Sequence, residues 1–268
     1  MRFEGKVVII TGGSSGIGAA TAELFSKERA KVAIVGRNDL KLKAVEEQCT
    51  IGNNKPLVIK ADITNYSGIE NIIQQTIHEY GKLDILINCA GQIKYASILS
   101  GNLLQVYDDM ISSNLRPVVS LTVAAAPYLI KTKGCIVNIS SLAGTNPIGV
   151  PEYTPYGLSK AGVRHFSRGV ALALANYGVR VNTITPGAVK TQLLEDAQCI
   201  TKWNDFERVS ALKRLSEPEE IADMILYLAS DKAKGITGAN FVVDNEKNKG
   251  YVVFPTAHIK YPDAYFKS

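Results

Sequence analysis

Residues 7–18 of this chain read Val7-Val8-Ile9-Ile10-Thr11-Gly12-Gly13-Ser14-Ser15-Gly16-Ile17-Gly18, and this stretch indicates the fold. Its first part, Val7–Ile10, is apolar without alternation, which is typical of a parallel strand that is covered on both faces. A glycine-rich turn follows directly, and a helical pattern then runs from Gly16 to Arg29. The stretch therefore predicts a strand that leads straight into a helix, as in an α/β protein.

The same succession of a strand and a helix recurs along nearly the whole chain. Strands are predicted at Val7–Ile10, Val32–Val35, Leu57–Ile59, Ile85–Ile87, Ile136–Ile139, Val181–Ile184 and Phe241–Val243. Helices are predicted at Gly16–Arg29, Asp39–Cys49, Tyr66–Tyr80, Leu103–Ile130, Pro155–Tyr177 and Pro218–Ala229. This alternation predicts an α/β chain with a doubly wound Rossmann fold, in which helices cover both faces of a seven-stranded parallel sheet.

No internal repeat, low-complexity tract or Pro/Gly-rich linker divides the chain, so we expect a single domain over residues 1–268. Two segments depart from the alternation. Residues 190–215 have weak periodicity, and an insertion of this kind often serves as a lid over the substrate. Residues 245–268 include Pro255 and Pro262 and are predicted to be an irregular C-terminal tail.

Composition excludes several classes of protein. A hydrophobic content of 46% is ample for a core, so the chain is not predicted to be disordered. The net charge of +5 is spread without a block of like charges or a basic stripe with interleaved aromatic residues, so no nucleic-acid partner is expected. The longest apolar region, Pro117–Ile130, is too short and too interrupted to span a bilayer.

The cysteines and histidines have no metal-like spacing, so no metal site is expected. These residues are Cys49, Cys89, Cys135, Cys199, His78, His165 and His258. The cysteines are interpreted as reduced thiols of an intracellular protein. Without a signal-peptide pattern at the N-terminus, the predicted location is cytoplasmic.

Three glycines form the turn after the first strand. Gly12, Gly16 and Gly18 follow the pattern Gly-x-x-x-Gly-x-Gly, which is wider than the usual dinucleotide fingerprint. Glycines let the backbone turn sharply and approach a pyrophosphate, which would sit against the amides of a helix N-terminus. A purely structural tight turn is the alternative, but the first strand-to-helix junction is where a dinucleotide site is expected.

The end of the second strand bears on the choice of nicotinamide cofactor. An NAD site would have an acidic residue there to bond the ribose 2′-hydroxyl, but this strand ends Val35-Gly36-Arg37-Asn38. Arg37 can stack on adenine and pair with a 2′-phosphate, although it could also be a solvated loop cation. The sequence therefore favours NADP(H) over NAD(H).

A tyrosine and a lysine, Tyr156 and Lys160, are spaced to lie on one face at the start of a helix. A phenol has a pKa of about 10, which makes it a poor acid–base catalyst at neutral pH. A neighbouring ammonium and a positive nicotinamide ring would favour the phenolate. Such a pair alone is common on surface helices, so its meaning depends on the surrounding motifs.

Those motifs occur in a characteristic order, at Thr11–Gly18, Asn88–Gly91, Ser140–Ser141, Tyr156–Lys160 and Pro186–Gly187. The serines end the fifth strand, where ligands bind in open α/β sheets. From about Lys6 to Asp244 the chain resembles the short-chain dehydrogenase/reductase family. The resemblance implies hydride transfer between a nicotinamide cofactor and a carbonyl carbon.

The resemblance also implies the roles of the catalytic residues. Tyr156 would be the acid in reduction and the base in oxidation, and Lys160 would bond the nicotinamide ribose and lower the tyrosine pKa. Ser141 would hydrogen-bond the substrate oxygen, while Ser140 would be a structural neighbour. Asn114 matches the asparagine that holds a water in the proton relay to Lys160.

Further residues would bind the cofactor. Asp62 resembles the aspartate that contacts adenine, Asn88 would stabilise the sheet and the pocket, and Val189 and Thr191 would meet the carboxamide. The complete predicted set is Gly12, Ser14, Ser15, Gly16, Ile17, Gly18, Arg37, Asn38, Asp62, Asn88, Ala90, Gly91, Tyr156, Lys160, Pro186, Gly187, Val189 and Thr191.

The predicted substrate-binding residues are Ser141, Tyr153, Tyr156, Ile93 and Leu193, with Tyr95, Leu142, Ile148, Val150 and Leu194 as further wall residues. Most of them are apolar, which favours a lipophilic ketone or alcohol of the steroid, isoprenoid or fatty-acyl type. Tyr153 is a second phenol, but Gly157 stands where its lysine would be, so Tyr153 is predicted to line the pocket.

The sequence thus predicts an NADP(H)-dependent carbonyl reductase or secondary-alcohol dehydrogenase. A 3-oxoacyl thioester reductase is the nearest enzymatic alternative. A cofactor-binding regulator or scaffold without turnover is the alternative from another class, but it would usually have lost Ser141, Tyr156 or Lys160. The long helices are more apolar than one buried face requires, for example at Ala171–Ala175, so a homotetramer or homodimer is expected.

Two stretches depart from the family pattern. Family members commonly continue Asp-Gly-Gly after the last strand, whereas this chain continues Asp244-Asn245-Glu246. The interval from Ser141 to Tyr156 is a little long and contains Pro147, Pro151 and Pro155. The first departure leaves the tail without a template, and the second concerns a loop beside the substrate.

Overall fold

A computed structural model describes residues 1–52, 54–146, 150–196 and 203–245 of the chain. Its strands are β1 Val7–Thr11, β2 Lys31–Gly36, β3 Leu57–Lys60, β4 Ile85–Asn88, β5 Cys135–Ile139, β6 Arg180–Pro186 and β7 Asn240–Val243. They form one seven-stranded sheet in the order β3-β2-β1-β4-β5-β6-β7. Every neighbouring pair is parallel, which confirms the predicted fold class.

Helices surround this sheet. They are α1 Gly16–Lys27, α2 Asp39–Cys49, α3 Tyr66–Tyr80, α4 Leu103–Met110, α5 Arg116–Thr132, α6 Thr154–Leu174, α7 Gln192–Asp196, α8 Trp203–Val209 and α9 Pro218–Ala229. In the part of the chain that the structure describes, no helix is long and apolar enough to cross a membrane.

The sheet is buried on both faces, which explains the uninterrupted apolar runs of its strands. In β1, Val8 and Ile10 pack into one apolar layer with α1 and α9. Val7 and Ile9 point the other way, into the layer formed with α3, α5 and α6. Since successive side chains of a strand alternate between faces, both sets must be apolar when each face carries helices.

The direction of winding reverses at the centre of the sheet. β1 has β2 on one side and β4 on the other, and Thr11 at the end of β1 is in register with Asn88 at the end of β4. The chain leaves these two strands in opposite directions, so a crevice opens at their carboxyl ends. Ligands of open α/β sheets bind in a crevice of this kind.

Two predicted helices differ in detail from the structure. The span Leu103–Ile130 is interrupted by a π-helical turn, Ile111–Leu115, between α4 and α5. Pro117 follows this turn at the start of α5, and because it has no N–H group it removes one donor from the backbone hydrogen bonds of the helix. The span Pro155–Tyr177 ends as a 3-10 turn at Ala175–Tyr177.

Residues 190–215 contain regular structure that the periodicity did not predict. α7 begins after residues 187–191, which follow β6, and α8 lies before the bridge that pairs Val189 with Ser216. Both helices are short, so the sequence window is too narrow to reveal a periodic apolar face. Residues 197–202 of this segment lie outside the described residues.

Candidate active site

Two adjoining cavities occupy the crevice at the carboxyl ends of the strands. The larger, of about 310 Å³, is bounded by the glycine turn, the end of β2 and the residues after β3. The smaller, of about 130 Å³, is bounded by the ends of β5 and β6 and the start of α6. Both cavities are lined by Ile17, Cys89, Gly91, Gln92, Thr191 and Leu193.

The glycine turn has room for no side chain at two of its positions. Gly12 has a φ of +68°, and a Cβ there would lie 2.9 Å from the Cα of Ala90. A Cβ on Gly18 would lie 2.2 Å from the carbonyl oxygen of Gly12. The Ser15 side chain makes no capping hydrogen bond at the start of α1, so the first amides of this helix face the cleft without a side-chain cap. This cradle fits the pyrophosphate of a dinucleotide.

Buried polar groups hold the neighbouring segment, residues 88–91, in place. Thr11 Oγ1 accepts hydrogen bonds from the backbone amides of Cys89, at 3.1 Å, and Ala90, at 3.2 Å. Asn88 Nδ2 donates to Asn138 Oδ1 at 2.8 Å, and Asn138 Nδ2 donates to the Ser167 hydroxyl at 2.8 Å. Asn88 itself lies behind the residues that line the cleft, so its contacts are with the sheet.

The far end of the larger cavity contains the residues that we predicted to contact adenosine. Arg37, Asn38 and Asp62 line it. The Asn38 side chain caps α2 by accepting a hydrogen bond from the Lys41 amide at 3.0 Å. A hydrogen bond from the Thr64 amide, with a smaller contribution from the Arg37 charge, holds the pKa of Asp62 below its usual range. Asp62 is therefore ionised at neutral pH.

Ser141 and Tyr156 line the same cavity. Ser141 follows β5. Its hydroxyl oxygen accepts a bond from the Ala143 amide at 3.3 Å. Tyr156, in the first turn of α6, is buried and faces the smaller cavity. The two hydroxyl groups thus face the same cavity, as they must if both are to bind one substrate oxygen.

Burial raises the pKa of Tyr156 to about 12, and the hydrogen bond from Ser141 opposes this shift. The lowering of this pKa by Lys160 together with a nicotinamide ring stays a prediction for the cofactor-bound protein. Lys160 Nζ lies over the tyrosine ring, 5.9 Å from its centroid, and donates a hydrogen bond to the Ile139 carbonyl at 3.0 Å. Its charge is directed at that carbonyl, so the cost of desolvating a phenolate prevails.

Lys160 is itself only 4% exposed. Burial lowers its pKa to about 8, and the nearby Cys89 sulfur opposes this shift. An ammonium in this position is easily deprotonated because few groups replace its lost hydration. Ser140, which was predicted to be structural, donates its hydroxyl hydrogen to the Lys160 carbonyl oxygen at 2.9 Å.

Asn114 lies in the π-helical turn, fully buried next to this lysine. Its side chain clamps the backbone of Gln92, accepting from the amide at 2.9 Å and donating to the carbonyl at 2.9 Å. It also donates to the Ser159 hydroxyl at 3.1 Å. A Cβ on Gly91 would lie 3.2 Å from Lys160 Nζ and 3.3 Å from Asn114 Oδ1, so the glycine permits both groups to approach.

The chain after β6 covers the junction of the two cavities. Pro186, Gly187, Val189 and Thr191 all line the smaller cavity, as expected for residues that would meet a nicotinamide. Thr191 lies so close to the glycine turn that a Cβ on Gly16 would be 2.9 Å from its methyl carbon. This contact holds the start of α7 over the turn.

The substrate side of the smaller cavity is mostly apolar. Its lining includes Ile93, Leu142, Tyr153, Leu193 and Leu194 from the predicted wall. Tyr153 packs edge-on against Tyr95, with ring centroids 5.0 Å apart, and against Tyr156 at 6.3 Å. Tyr95 and Val150 lie in the apolar cluster around the cavity without lining it. Ile148 lies outside the described residues.

Several site residues were missed by sequence reasoning. Phe206, from α8, lines the substrate cavity, but α8 is too short for its apolar pattern to be recognised. Lys41 lines the larger cavity next to Arg37, and its position three residues into α2 could have pointed to it. Gln92 and Thr11 act through backbone contacts, which residue type alone does not reveal.

Asn245 replaces the glycine that the family pattern has after the last strand. It has a φ of +56°, in the left-handed region that asparagine tolerates better than most residues. Its carbonyl accepts bonds from the amides of Ala211, at 3.1 Å, and Leu212, at 3.3 Å. The turn is therefore kept without glycine and holds residues 211–212 against β7. The tail beyond it, residues 246–268, lies outside the described residues.

Among the described residues, no cluster of histidine, cysteine or acidic side chains could hold a metal ion. Cys49, Cys89 and Cys135 are free thiols. Burial raises the pKa of Cys89 to about 12, so it is a protonated thiol at neutral pH even though it lines both cavities. Cys199 and His258 lie outside the described residues.

Comparison with known proteins gives a consistent family. A family model described as enoyl-(acyl carrier protein) reductase matches residues 12–245. A 3-oxoacyl-[acyl-carrier-protein] reductase from Thermotoga maritima is 36% identical over 91% of this chain and 98% of its own length. A meso-2,3-butanediol dehydrogenase from Serratia marcescens is 34% identical over 91% of this chain and 95% of its own length.

Solved structures agree with these relatives. A short-chain dehydrogenase/reductase of unknown function from Caenorhabditis elegans, solved with cofactor, superposes with a TM-score of 0.85 at 32% identity, covering 91% of this chain and 96% of that one. A glucose dehydrogenase from the same organism, in its apo-form, gives a TM-score of 0.79 at 36% identity, covering 92% and 99% of the two chains.

Proposed function

Since this chain belongs to the short-chain dehydrogenase/reductase family, whose members use nicotinamide cofactors, we propose that it is an NADP(H)-dependent oxidoreductase that interconverts a carbonyl group and a secondary alcohol. One observation carries the proposal. Ser141 and Tyr156, with Lys160 buried beside the tyrosine ring, face one cavity that joins the cleft of the glycine turn.

Ser141 and Tyr156 have different roles at the substrate oxygen. In reduction, the Ser141 hydroxyl donates a hydrogen bond to the carbonyl oxygen, and Tyr156 passes its proton to that oxygen as it becomes a hydroxyl. A pKa of about 12 keeps the phenol protonated at neutral pH, ready to act as the acid. A bound nicotinamide supplies the hydride in this direction and accepts it in the other.

Lys160 and Asn114 support this proton transfer. The lysine has further donors for a ribose hydroxyl besides the one that it gives to Ile139. Its charge would favour the phenolate more strongly once such a partner draws it towards the tyrosine oxygen. Asn114 holds Gln92 and Gly91 next to the lysine, and a water on the Asn114 side completes the proposed relay to solvent.

The NADP(H) preference rests on the end of β2. Gly36 stands where a carboxylate would bond a ribose 2′-hydroxyl, and Arg37 follows it in the lining of the cleft. A guanidinium is a good partner for a phosphate because two of its N–H groups can bond one phosphate together. Arg37→Ala should therefore raise the Michaelis constant for NADPH more than that for NADH, and an equal rise would contradict this preference.

For the substrate, we propose a lipophilic ketone or alcohol of the steroid, isoprenoid or fatty-acyl type. The apolar lining, to which Tyr153 and Phe206 add aromatic rings, supports it. A 3-oxoacyl thioester is the second candidate, favoured by the Thermotoga relative that reduces such a substrate according to its name. A regulator without turnover is less well supported, because Ser141, Tyr156 and Lys160 are all retained.

We infer a single catalytic domain over residues 1–268, in which residues 190–215 form a lid through α7 and α8, and residues 245–268 form an irregular tail. The enzyme is proposed to be cytoplasmic and to assemble as a homotetramer or homodimer.

A panel of ketones and alcohols, followed by the absorbance of NADPH, tests the function. On a substrate that wild type turns over, Tyr156→Phe should lower kcat by about a hundredfold to ten-thousandfold, because the proton donor is lost. Tyr153→Phe is the matched control and should lower kcat by less than about tenfold, since this phenol has no lysine at the required spacing. Full activity of Tyr156→Phe would overturn the proposal.

A further inference from the structure

Lys41 joins the two sides of the dinucleotide cleft. It lies in the first turn of α2 and lines the cleft together with Arg37 and Asn38. Its ammonium donates a hydrogen bond to the Gln192 side-chain oxygen, on α7, at 2.6 Å. α2 follows β2 on one side of the sheet centre, whereas α7 follows β6 on the other. This hydrogen bond therefore connects the adenosine end of the cleft to the helix beside the substrate cavity.

A lysine is electrostatically unfavourable in this position unless an anion binds there. The N-terminal end of a helix carries partial positive charge, which disfavours cations and attracts anions. The acidic residue of the same turn, Asp39, is already paired with Lys60 at 2.6 Å. Among the described residues that line the cleft, Arg37 and Lys41 are the cations and Asp62 is the only carboxylate. The adenosine end of the cleft thus has an excess of positive charge.

The Lys41 ammonium can bond a ligand without leaving Gln192. An ammonium has three N–H donors, and the bond to Gln192 uses one of them. The Lys41 side chain is partly exposed, so the remaining donors can reach a group in the cleft. The backbone of the residue is fixed at the end of β2 through the bond from its amide to Asn38, next to Arg37.

We propose that Lys41 is a second ligand, beside Arg37, for the 2′-phosphate that distinguishes NADP(H) from NAD(H), and that Gln192 orients its ammonium. The inference rests on the proposed NADP(H) preference. Because one ammonium bonds both the phosphate and α7, a 2′-phosphate stabilises α7 over the cleft. Thr191, in contact with Gly16, already holds the start of this helix there.

Nucleotide fragments test the proposal without catalysis. Isothermal titration measures the binding of adenosine 2′,5′-bisphosphate, which carries the 2′-phosphate, and of AMP, which lacks it. Lys41→Gln should weaken the bisphosphate about tenfold, the effect of losing one charge-assisted hydrogen bond, and should change AMP binding less than about twofold. Lys43→Gln is the matched control, an exposed lysine of the same helix outside the cleft lining, and should change neither.

Hydrogen exchange tests the connection to α7. In wild type, the amides of residues 192–196 should exchange more slowly with the bisphosphate than with AMP, because only the bisphosphate holds Lys41. Gln192→Ala should abolish this difference while weakening the bisphosphate only about twofold to threefold, since it removes an orienting contact and leaves both cations. Equal exchange with the two nucleotides in wild type would refute the role of Gln192.

The outcomes separate this inference from the proposed function. If Arg37→Ala removes the preference for the bisphosphate and Lys41→Gln leaves it intact, then Lys41 is not a ligand and the NADP(H) proposal stands. If wild type binds AMP and the bisphosphate equally well, the NADP(H) preference is wrong, and the inference about Lys41 is wrong with it.

Discussion

Lys160 is a charged side chain in a place that penalises its charge. Within the described residues its Nζ has one hydrogen bond, to the Ile139 carbonyl, and the side chain is almost completely shielded from water. The resulting pKa of about 8 means that the protein could bury this amine with less cost in its neutral form. Holding a proton there is useful only if another partner stabilises the ammonium, as the ribose and the tyrosine would during catalysis.

The pH dependence of stability should reveal this cost. Below pH 8, the folded chain contains a buried ammonium, whereas the unfolded chain has an ordinary lysine. Between pH 8 and about 10, the unfolded state binds more protons at this site, so the free energy of unfolding rises with pH. This lysine should contribute a rise of about 1 kcal/mol from pH 8 to pH 9, measured by urea unfolding without cofactor as the difference between wild type and Lys160→Met.

Other groups oppose this trend, so a variant is needed to isolate it. The buried Cys49, Cys89 and Cys135 have raised pKa values, so the unfolded state loses their protons first and the free energy of unfolding falls as pH rises from about 8. Tyr156 acts in the same direction above about pH 10. Lys160→Met keeps these groups and removes the amine. If the free energy of unfolding changed equally in wild type and in Lys160→Met between pH 8 and pH 9, the prediction would be contradicted.

At the scale of elements, the site depends on how β1 and β4 are joined at their ends. Thr11 is the last residue of β1, and its hydroxyl accepts bonds from two amides just beyond β4, those of Cys89 and Ala90. These amides would otherwise be left without partners next to the cofactor cleft. The hydroxyl also keeps Ala90 at the distance at which only a glycine fits at position 12.

Replacing Thr11 by valine should therefore destabilise the fold although the two side chains have nearly the same shape. The loss of the acceptor leaves two part-buried amides unpaired, so the free energy of unfolding should fall by about 1–3 kcal/mol. Thr122→Val is the matched control, because the Thr122 hydroxyl is buried in α5 without a hydrogen-bond partner among the described residues. Thermal and urea unfolding should leave this control unchanged or slightly stabilised; an equal loss in both variants would refute the argument.

Sequence periodicity predicted the helices that are long and the strands that are buried on both faces. α2, α3 and α9 begin and end at the predicted residues, because each has a clear apolar face and a polar cap or proline at its start. The π-helical turn at Ile111–Leu115 was not predictable in this way. The apolar pattern alone does not reveal the extra residue of this turn, in which Asn114 is hydrogen-bonded to Gln92 and Ser159.

Some features of the candidate site were predictable from the sequence and others were not. Family resemblance located Ser141, Tyr156 and Lys160, but the effect of burial on their pKa values follows from the folded environment alone. Contacts between distant parts of the chain were not predictable at all. The bond between Lys41 and Gln192 joins residues far apart in sequence, and nothing in either residue type indicates the other.

In the whole molecule, one face of the sheet is covered by helices that also have apolar side chains on the side that faces away from the sheet. α5 and α6 pack on the same side of the sheet, where Leu121, Ala125 and Ala171 face inwards. Their outer sides include Val123, 67% exposed, and Leu172, 82% exposed. Exposed apolar side chains on adjacent helices favour a contact with another protein surface. A second copy of the chain, related by symmetry, is the simplest occupant.

Charge introduced on this face should separate the copies. Wild type should elute in size-exclusion chromatography with light scattering at two or four times the chain mass of 29.0 kDa. Leu172→Glu should lower that mass, because a carboxylate would be buried without a partner in the interface. Leu40→Glu is the matched control, since Leu40 on α2 is also 82% exposed but lies away from α5 and α6. A wild-type mass of 29.0 kDa, or equal masses for both variants and wild type, would contradict an assembly through this face.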